Sequence, residues 1–421
     1  MKPVANRRVP LGSTQPPTVG ALCVVALLLI ACGHKTSPAS GAAAAEPSPL
    51  AATVAPVLAA APATAATPVT APVLAAAPAT LLIGEFPLDA KSPVIDGDTI
   101  RVVGLDATLR LLGIDTEETF KKPEERALFA RGWPQYLKHN KAQSPAPMKF
   151  ATPLGTEATQ FAEKFFAGVK VVRLERDHIQ ELRGRYGRHL AYVLVERDGR
   201  WVNYNVECVR AGMSPYFVKY SYSRRFHDEF VAAEAEARRA GRGVWKEGAM
   251  HYDDYPRRLA WWHARAKTIA AFEKEAAGRP ELISLSWNDA LDRLAQHVGK
   301  EVEVFGSVSD VSQRGRGPTR VTLAHRRGAD FPLIFFDAAV LRASKLEGCA
   351  GEHVRVRGVV TRYHNKRANT DELQLVVKAA GQVSRPVGNP ELDAQLVRFE
   401  QKSTATPAAG AANKAEPAAT K

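Results

Sequence analysis

Two short runs hold most of the chemistry open to this chain. Residues 94–100 read VIDGDTI and residues 110–119 read RLLGIDTEET. The first sets Asp96 and Asp98 around one glycine inside an apolar strand pattern. The second adds Arg110, Asp115 and Glu118 on the next strand and its exit. Carboxylates are depleted in strands and costly to bury unless a cation or a hydrogen bond compensates. Asp-Gly is also a common hairpin signal, so the first run by itself reads as a polar turn. An EF-hand loop counted from Asp96 would need ligands at Ile100 and Ala107, which cannot serve. A third run, RGRYGR at 183–188, brings Arg185, Tyr186 and Arg188. Carboxylate oxygens suit a hard cation, and arginine offers phosphate oxygens a planar fork that stays charged. The acids and arginines need each other, because acids alone would form an overcrowded anionic site. Taken singly, each arginine also reads as a structural salt-bridge partner.

The elements that must position these residues are legible in the periodicity. SPVIDGDTIRVVG, ATLRLLGI, KVVRLERD (170–177) and HLAYVLVE (189–196) read as strands rich in Val, Ile and Leu. EATQFAEKFF (157–166) puts Ala158, Phe161, Ala162 and Phe165 on one helical face, with Thr156 as the expected N-cap. RRFHDEFVAAEAEARRAGRG (224–243) repeats that logic with Phe226, Phe230, Ala233 and Ala237. Strands first and helices after imply an α+β unit on a small antiparallel barrel, for which an OB-type barrel is one candidate.

The order VIDGDT, RLLGIDTEET, RYGR and a closing helix ending GVW resembles the staphylococcal-nuclease (thermonuclease) family over about residues 93–246. The resemblance implies an OB-fold-like five-stranded barrel with helices and calcium-dependent hydrolysis of DNA and RNA phosphodiesters. By the same resemblance Asp98 and Asp115 match the calcium carboxylates, and Thr116 the threonine whose carbonyl completes the protein ligands. Glu118 matches the glutamate proposed to activate water, and Arg110 and Arg188 the arginines that grip the phosphate. Asp96 matches a carboxylate near the metal, and Tyr186 a tyrosine beside the nucleotide. Arg185 stands where the family has lysine, and Tyr220 neighbours Val218, where a second tyrosine is expected; both are taken as substrate-binding. An oxygen-only set suits Ca²⁺ better than Zn²⁺. The competing reading is a non-catalytic module that keeps the fold to bind nucleic acid or protein.

Besides Arg185 and Val218, the chain departs from the family pattern at Gly184, where an acidic residue is common, at Glu117 and in the loop that follows. Glu117 replaces a rigidifying proline and is expected to add a charge beside Glu118. The loop FKKPEERALFARGWPQYLKHNKAQSPAPMKFATP (120–153) is much longer than the pattern requires. Long loops in compact domains tend to be functional or disordered. Lys121, Lys122, Arg126 and Arg131 with Trp133 and Tyr136 suit phosphate contact and base stacking. A solvated lid or a packing patch explains them equally.

The rest of the chain frames this unit. Lys2, Arg7 and Arg8 precede VGALCVVALLLIAC (19–32), a short apolar run with secretory flanks. Its end, Leu29-Ile30-Ala31-Cys32, resembles a bacterial lipobox, so Cys32 is expected to carry lipid and to anchor an outer-membrane lipoprotein of the cell envelope. APVLAAAPAT occurs at 55–64 and again at 71–80 in an Ala/Pro-rich stretch with too little bulk to form a core. The expected organisation is signal 1–32, linker 33–83, catalytic unit 84–248, helical connector 249–279, a second OB-like barrel 280–400 and tail 401–421. In that second unit 300–311, 320–326, 330–337, 351–364 and 372–379 read as strands, with a short helix at 340–348. Arg355 and Arg357 alternate with Val354 and Val356, and Arg362, Lys366 and Arg367 follow, which reads as a nucleic-acid-binding face. Cys208 and Cys349 lack Cys-x-x-Cys spacing, so zinc is not expected. The 57 Lys+Arg against 44 Asp+Glu, a net charge of +13, suit an anionic partner such as DNA, RNA or a membrane surface. No obligate protein partner is expected.

Overall fold

Where one face of a strand meets water, apolar and polar residues alternate along it, and that alternation sets which face is buried. The computed structural model describes residues 79–405 apart from 314–316 and 367–368. The expected signal with Cys32, most of the linker, Arg367 and the tail beyond 405 lie outside the described residues.

The N-terminal part is α+β. Its strands are β1 (Leu82–Pro87), β2 (Val94–Asp96), β3 (Thr99–Ile100) and β4 (Leu109–Leu111). Helices α1 (Pro123–Phe129), α2 (Trp133–Lys141) and α3 (Pro153–Phe166) come next. They are followed by β5 (Val171–Glu175), β6 (His189–Arg197), β7 (Arg200–Asn203), α4 (Tyr204–Arg210) and α5 (His227–Arg239). The sheet runs β1-β5-β6-β4 with β7 on β6, and β2 and β3 form a separate hairpin. Leu111, Leu174, Val193 and Phe230 are buried in one core. Strand β1 begins at Leu82, inside the stretch expected to be linker.

Helix α3 starts earlier than the expected cap at Thr156. Thr152 is the N-cap, its hydroxyl accepting from the Gly155 amide, and Pro153 opens the first turn. Proline fits there because that amide has no helical partner anyway. The 120–153 segment is no open lid. It holds α1 and α2, and Phe120, Phe129, Trp133, Tyr136 and Phe150 pack ring against ring. Tyr136 is fully buried and donates to the Ala151 carbonyl at 2.8 Å, so Tyr136 is a packing residue, not a stacking platform for bases.

Helix α6 (Tyr255–Ala276) leads into the C-terminal part. Trp262 and Ala266 join the N-terminal core. Ile269, Phe272 and Ala276 pack with Leu282 and Phe305. Phe272 stacks on Phe305 at 4.5 Å, and burying each such ring contributes about 1.5–3 kcal/mol. Arg265 joins the two parts by a buried ion pair, its Nη1 2.7 Å from Glu352 Oε2.

Beyond α6 come β8 (Leu282–Ser284), α7 (Ala290–Gln296), β9 (Glu301–Gln313), β10 (Thr319–Leu323) and β11 (Phe331–Phe335). Then follow α8 (Ala338–Ser344), β12 (His353–Asn365), β13 (Thr370–Val376), β14 (Val383–Ser384) and α9 (Pro390–Ala405). Pairing runs β9-β10-β11-β13-β12 and returns to β9, with only β11–β13 parallel among these five. Val354 and Val356 point into the core, as the alternation requires. The outward arginines are not a free basic face. Arg355 lies 2.7 Å from Glu275 and 3.0 Å from Glu303, and Arg357 lies 3.5 Å from Glu303. Cys208 and Cys349 are buried free thiols in different cores. No helix among the described residues is long and apolar enough to cross a membrane.

Candidate active site

The Asp-Gly-Asp run is both a turn and part of the site. β2 and β3 pair through Val94–Ile100 and Asp96–Thr99, leaving Gly97 and Asp98 at the hairpin tip. A Cβ on Gly97 would come within 2.7 Å of the Ala158 Cβ and 2.8 Å of the Thr116 Cγ2. Only glycine lets the tip press onto α3 and Thr116 this closely. The Gly97 carbonyl accepts from the buried Tyr204 hydroxyl at 2.5 Å.

That seating brings the two acidic runs together. The Thr116 amide donates to Asp98 Oδ2 at 3.2 Å, and the Thr99 hydroxyl donates to Asp98 Oδ1 at 3.0 Å. Burial, and then the neighbouring Asp115, push the Asp98 carboxyl up to about 7. On β4, Leu109 and Leu111 are buried and Arg110 faces the other way. Its Nη2 donates to Asp115 Oδ1 at 2.8 Å, and its guanidinium lies over the Phe217 ring at 5.5 Å. The Asp115 amide donates to Ser214 Oγ at 2.9 Å. Tyr220 lies near Arg110, and its side chain is mostly exposed.

Glu117 does not crowd Glu118. Its side chain turns inward and is 1% exposed. Oε2 accepts from the Thr152 hydroxyl at 2.5 Å, and Oε1 accepts from the Tyr252 amide and the Tyr255 hydroxyl, both at 2.8 Å. Burial raises its pKa against these bonds. These contacts fix the turn where the family pattern has a proline. Gly155 packs over the same turn, where a Cβ would meet the Glu118 carbonyl oxygen at 2.1 Å. Glu118 itself points toward solvent, 40% exposed.

Arg188 precedes β6, which runs parallel to β4 with His189 opposite Leu109 and Leu190 opposite Arg110. Leu109 and His189 are buried, so strand alternation puts Arg110 and Leu190 on the other face together, and Arg188 is the residue just before that strand. The Arg188 guanidinium makes no hydrogen bond or ion pair among the described residues. Tyr186 is exposed. Arg185 is not free for substrate: it forks onto Asp330 of the C-terminal part, Nη1 to Oδ1 at 2.7 Å and Nη2 to Oδ2 at 2.6 Å.

Two lysines complete the cluster. Lys149 Nζ lies 2.8 Å from Asp115 Oδ1 and 3.8 Å from Glu118 Oε1. Lys121 Nζ lies 3.1 Å from Asp96 Oδ2 and 3.9 Å from Glu118 Oε2. Burial works against the Lys149 charge, but Asp115 and Asp98 outweigh it and raise its pKa. Lys149 has no spacing signal in the sequence. The only hint is charge balance, since Asp96, Asp98, Asp115 and Glu118 outnumber Arg110 and Arg188.

No group of three or more His, Cys, Asp or Glu gathers as a metal site among the described residues. The oxygens present nevertheless fit a hard cation. Asp98 and Asp115 crowd each other, and the buried Asp96 Oδ1 has no hydrogen-bond partner among the described residues. A set of two carboxylates and one carbonyl needs no third acid.

A family model described as staphylococcal nuclease homologue matches residues 108–247. That span holds Arg110, Asp115, Thr116, Glu118 and Arg188 and begins after Asp96 and Asp98. An uncharacterized protein of Methanocaldococcus jannaschii is 29% identical over 154 residues, 36% of this chain and 68% of that protein. The thermonuclease of Staphylococcus intermedius is 28% identical over 155 residues, 36% of this chain and 73% of that protein. Residues 108–247 are a staphylococcal-nuclease-like domain of α+β class within a longer chain.

Proposed function

We propose that the chain is a calcium-dependent nuclease that hydrolyses phosphodiester bonds of DNA or RNA. The observation that carries this reading is the gathering of Asp98, Asp115, Thr116, Arg110 and Glu118 around one hairpin tip, with Arg188 immediately before β6, the strand that pairs with β4. Asp98, Asp115 and the Thr116 carbonyl would hold the cation, which when bound supplies a Lewis acid and orients water. Arg110 and Arg188 bind the phosphate oxygens and offset the extra negative charge at five-coordinate phosphorus. Glu118 takes the proton as water oxygen bonds to phosphorus, and the ester P–O bond breaks with its electron pair leaving on the departing oxygen. Tyr186 and Tyr220, both exposed, flank the nucleotide.

The test is digestion of single- and double-stranded DNA and RNA with calcium or with excess chelator. Hydrolysis with calcium, lost in chelator and in Asp98→Ala or Asp115→Ala, is expected. Full activity in chelator would overturn the metal dependence. Binding without cleavage would favour the non-catalytic module.

The ring of strands β9–β13 is read as a second OB-like barrel, a reading supported by its pairing order and by α8 lying between β11 and β12. Arg320, Arg355 and Arg357 are matched by glutamates, and Arg185, Arg265 and Trp261 bond to residues of this unit. These contacts favour docking on the nuclease-like domain over binding of nucleic acid. Lipidation at Cys32 is proposed from the sequence, with the chain held at the bacterial envelope. Cys32→Ser should then free the protein from the membrane fraction, because stable anchoring takes more than one acyl chain. Unchanged retention would point to another anchor.

A further inference from the structure

The cation nearest Asp115 other than Arg110 comes from the long 120–153 segment, and its backbone is fixed on both sides. Arg257 Nη1 donates to the Pro145 carbonyl at 2.8 Å, and the Arg258 guanidinium donates to the Met148 carbonyl. The Tyr252 hydroxyl donates to the Phe150 carbonyl at 2.9 Å and accepts from the Phe150 amide at 3.1 Å. Tyr136 holds the Ala151 carbonyl, and the Thr152 amide donates to the Glu118 carbonyl at 3.0 Å. Lys149 is therefore delivered to the acids by contacts with α2 and α6 rather than by a wandering loop.

Its position sets up a conflict. Asp115 Oδ1 already receives Arg110 Nη2 and Lys149 Nζ, each at 2.8 Å. A divalent cation using Asp115 meets an ammonium on the same oxygen. Arg110 is mostly buried beside Phe217 and short of room to move, whereas lysine is a point charge on a flexible stem. Glu118 Oε1, 3.8 Å away, offers the ammonium a second carboxylate to move to.

We propose that Lys149 is a built-in competitor of the metal ion: its ammonium occupies Asp115 until a divalent cation displaces it toward Glu118. A charge-assisted hydrogen bond of this kind is worth about one to two orders of magnitude in an equilibrium constant. The chain thus holds its acids partly neutralised when cation is scarce and sets a higher threshold for loading. The inference rests on the reading of Asp98 and Asp115 as cation ligands.

The experiment is calorimetric titration of the full chain with calcium chloride, without substrate, for wild type, Lys149→Met, Lys149→Arg and Asp98→Ala. Lys149→Met keeps the stem and should bind calcium about tenfold more tightly or better. Lys149→Arg should stay near wild type. Calcium binding abolished by Asp98→Ala but unchanged or weakened in Lys149→Met would overturn the competitor role alone. No binding in wild type or Lys149→Met would overturn the competitor and the cation reading together. A second measurement uses wild type only: reductive methylation of Lys149, followed by mass spectrometry, should rise when calcium is added. Equal methylation with and without calcium would also overturn the proposal.

Discussion

The acid–arginine cluster around the β2–β3 hairpin and the arginine ladder of β12 are made of the same residue types with opposite outcomes. On β12, Arg355 and Arg357 lie against Glu275 and Glu303, so each arginine meets a carboxylate. Around the hairpin Lys121 and Lys149 meet Asp96 and Asp115, but other charges stay unmatched. Asp98 is pushed up to about 7, Asp96 Oδ1 has no partner, and Arg188 makes no ion pair among the described residues. Matched charges stabilise a surface modestly, while unmatched ones hold binding capacity in reserve for a ligand. Counting arginines therefore says little. What counts is which are already engaged, and Arg185, forked onto Asp330, belongs with the β12 arginines despite its place in the RGRYGR loop. Gly187, with a φ of +78°, makes the turn that separates the engaged Arg185 from Arg188.

The sharpest way to break this comparison is to remove one arginine from each region. Arg188→Ala is expected to lower kcat by about 10²–10³, the cost of a lost preorganised donor. Arg355→Ala and Arg357→Ala should stay within roughly twofold, as expected for residues engaged in surface pairs. Initial rates on the same oligonucleotide decide it, and equal losses in both regions would end the distinction.

A second effect is in stability against pH. The native Asp98 carboxyl, raised from 3.8 to about 7 by burial and then Asp115, binds its proton more tightly than the unfolded chain does. Its stabilising contribution is therefore complete below about 4 and is lost as pH rises to about 7. Denaturant unfolding in calcium-free buffer should show that decline, and Asp98→Asn should flatten it. An unchanged slope in Asp98→Asn would place the strain elsewhere.

Smaller effects compare two ion pairs. Arg185 and Asp330 form a fork with side chains 32% and 18% exposed, so a double-mutant cycle should give a coupling of about 1–2 kcal/mol. Arg357 is 64% exposed, and its cycle with Glu303 should give about 0.5 kcal/mol or less. Reversal of that order in thermal melts would contradict the ranking of the engaged pairs by burial.

Sequence patterns are most legible where a residue's role follows from its neighbours in the chain. Strand β12 alternates cleanly between core and surface from His353 to Val360, and the Asp96–Asp98 and Arg110–Glu118 runs gather because a hairpin and one strand carry them. Contacts distant in sequence are not legible. Glu117 reads as a surplus charge until Tyr252 and Tyr255 arrive from beyond α5. Lys149 is set by Arg257 and Arg258, which lie far along the chain on α6. Thr152-Pro153 is a readable start for α3, but the apolar stripe beginning at Ala158 places the boundary too late. Strand β7 is only four residues long, and α1 and α2 are short helices held by aromatic packing rather than by a long apolar period.

Helix α6 has a consequence for synthesis. It reaches the N-terminal core through Trp262 and Ala266, yet its Phe272 face and the buried Arg265 wait for Phe305 and Glu352. Arg265 and Glu352 are 87 positions apart. At about 5–20 residues per second, that leaves roughly 4–17 s in which the nascent helix exposes an apolar stripe and an uncompensated guanidinium. We expect release-stalled chains ending near residue 278 to be captured by a hydrophobic dye or a holdase, and chains extended past Asn389, which also bonds Glu352, to escape it. Equal capture of both lengths would mean that the vectorial order of synthesis leaves no vulnerable interval.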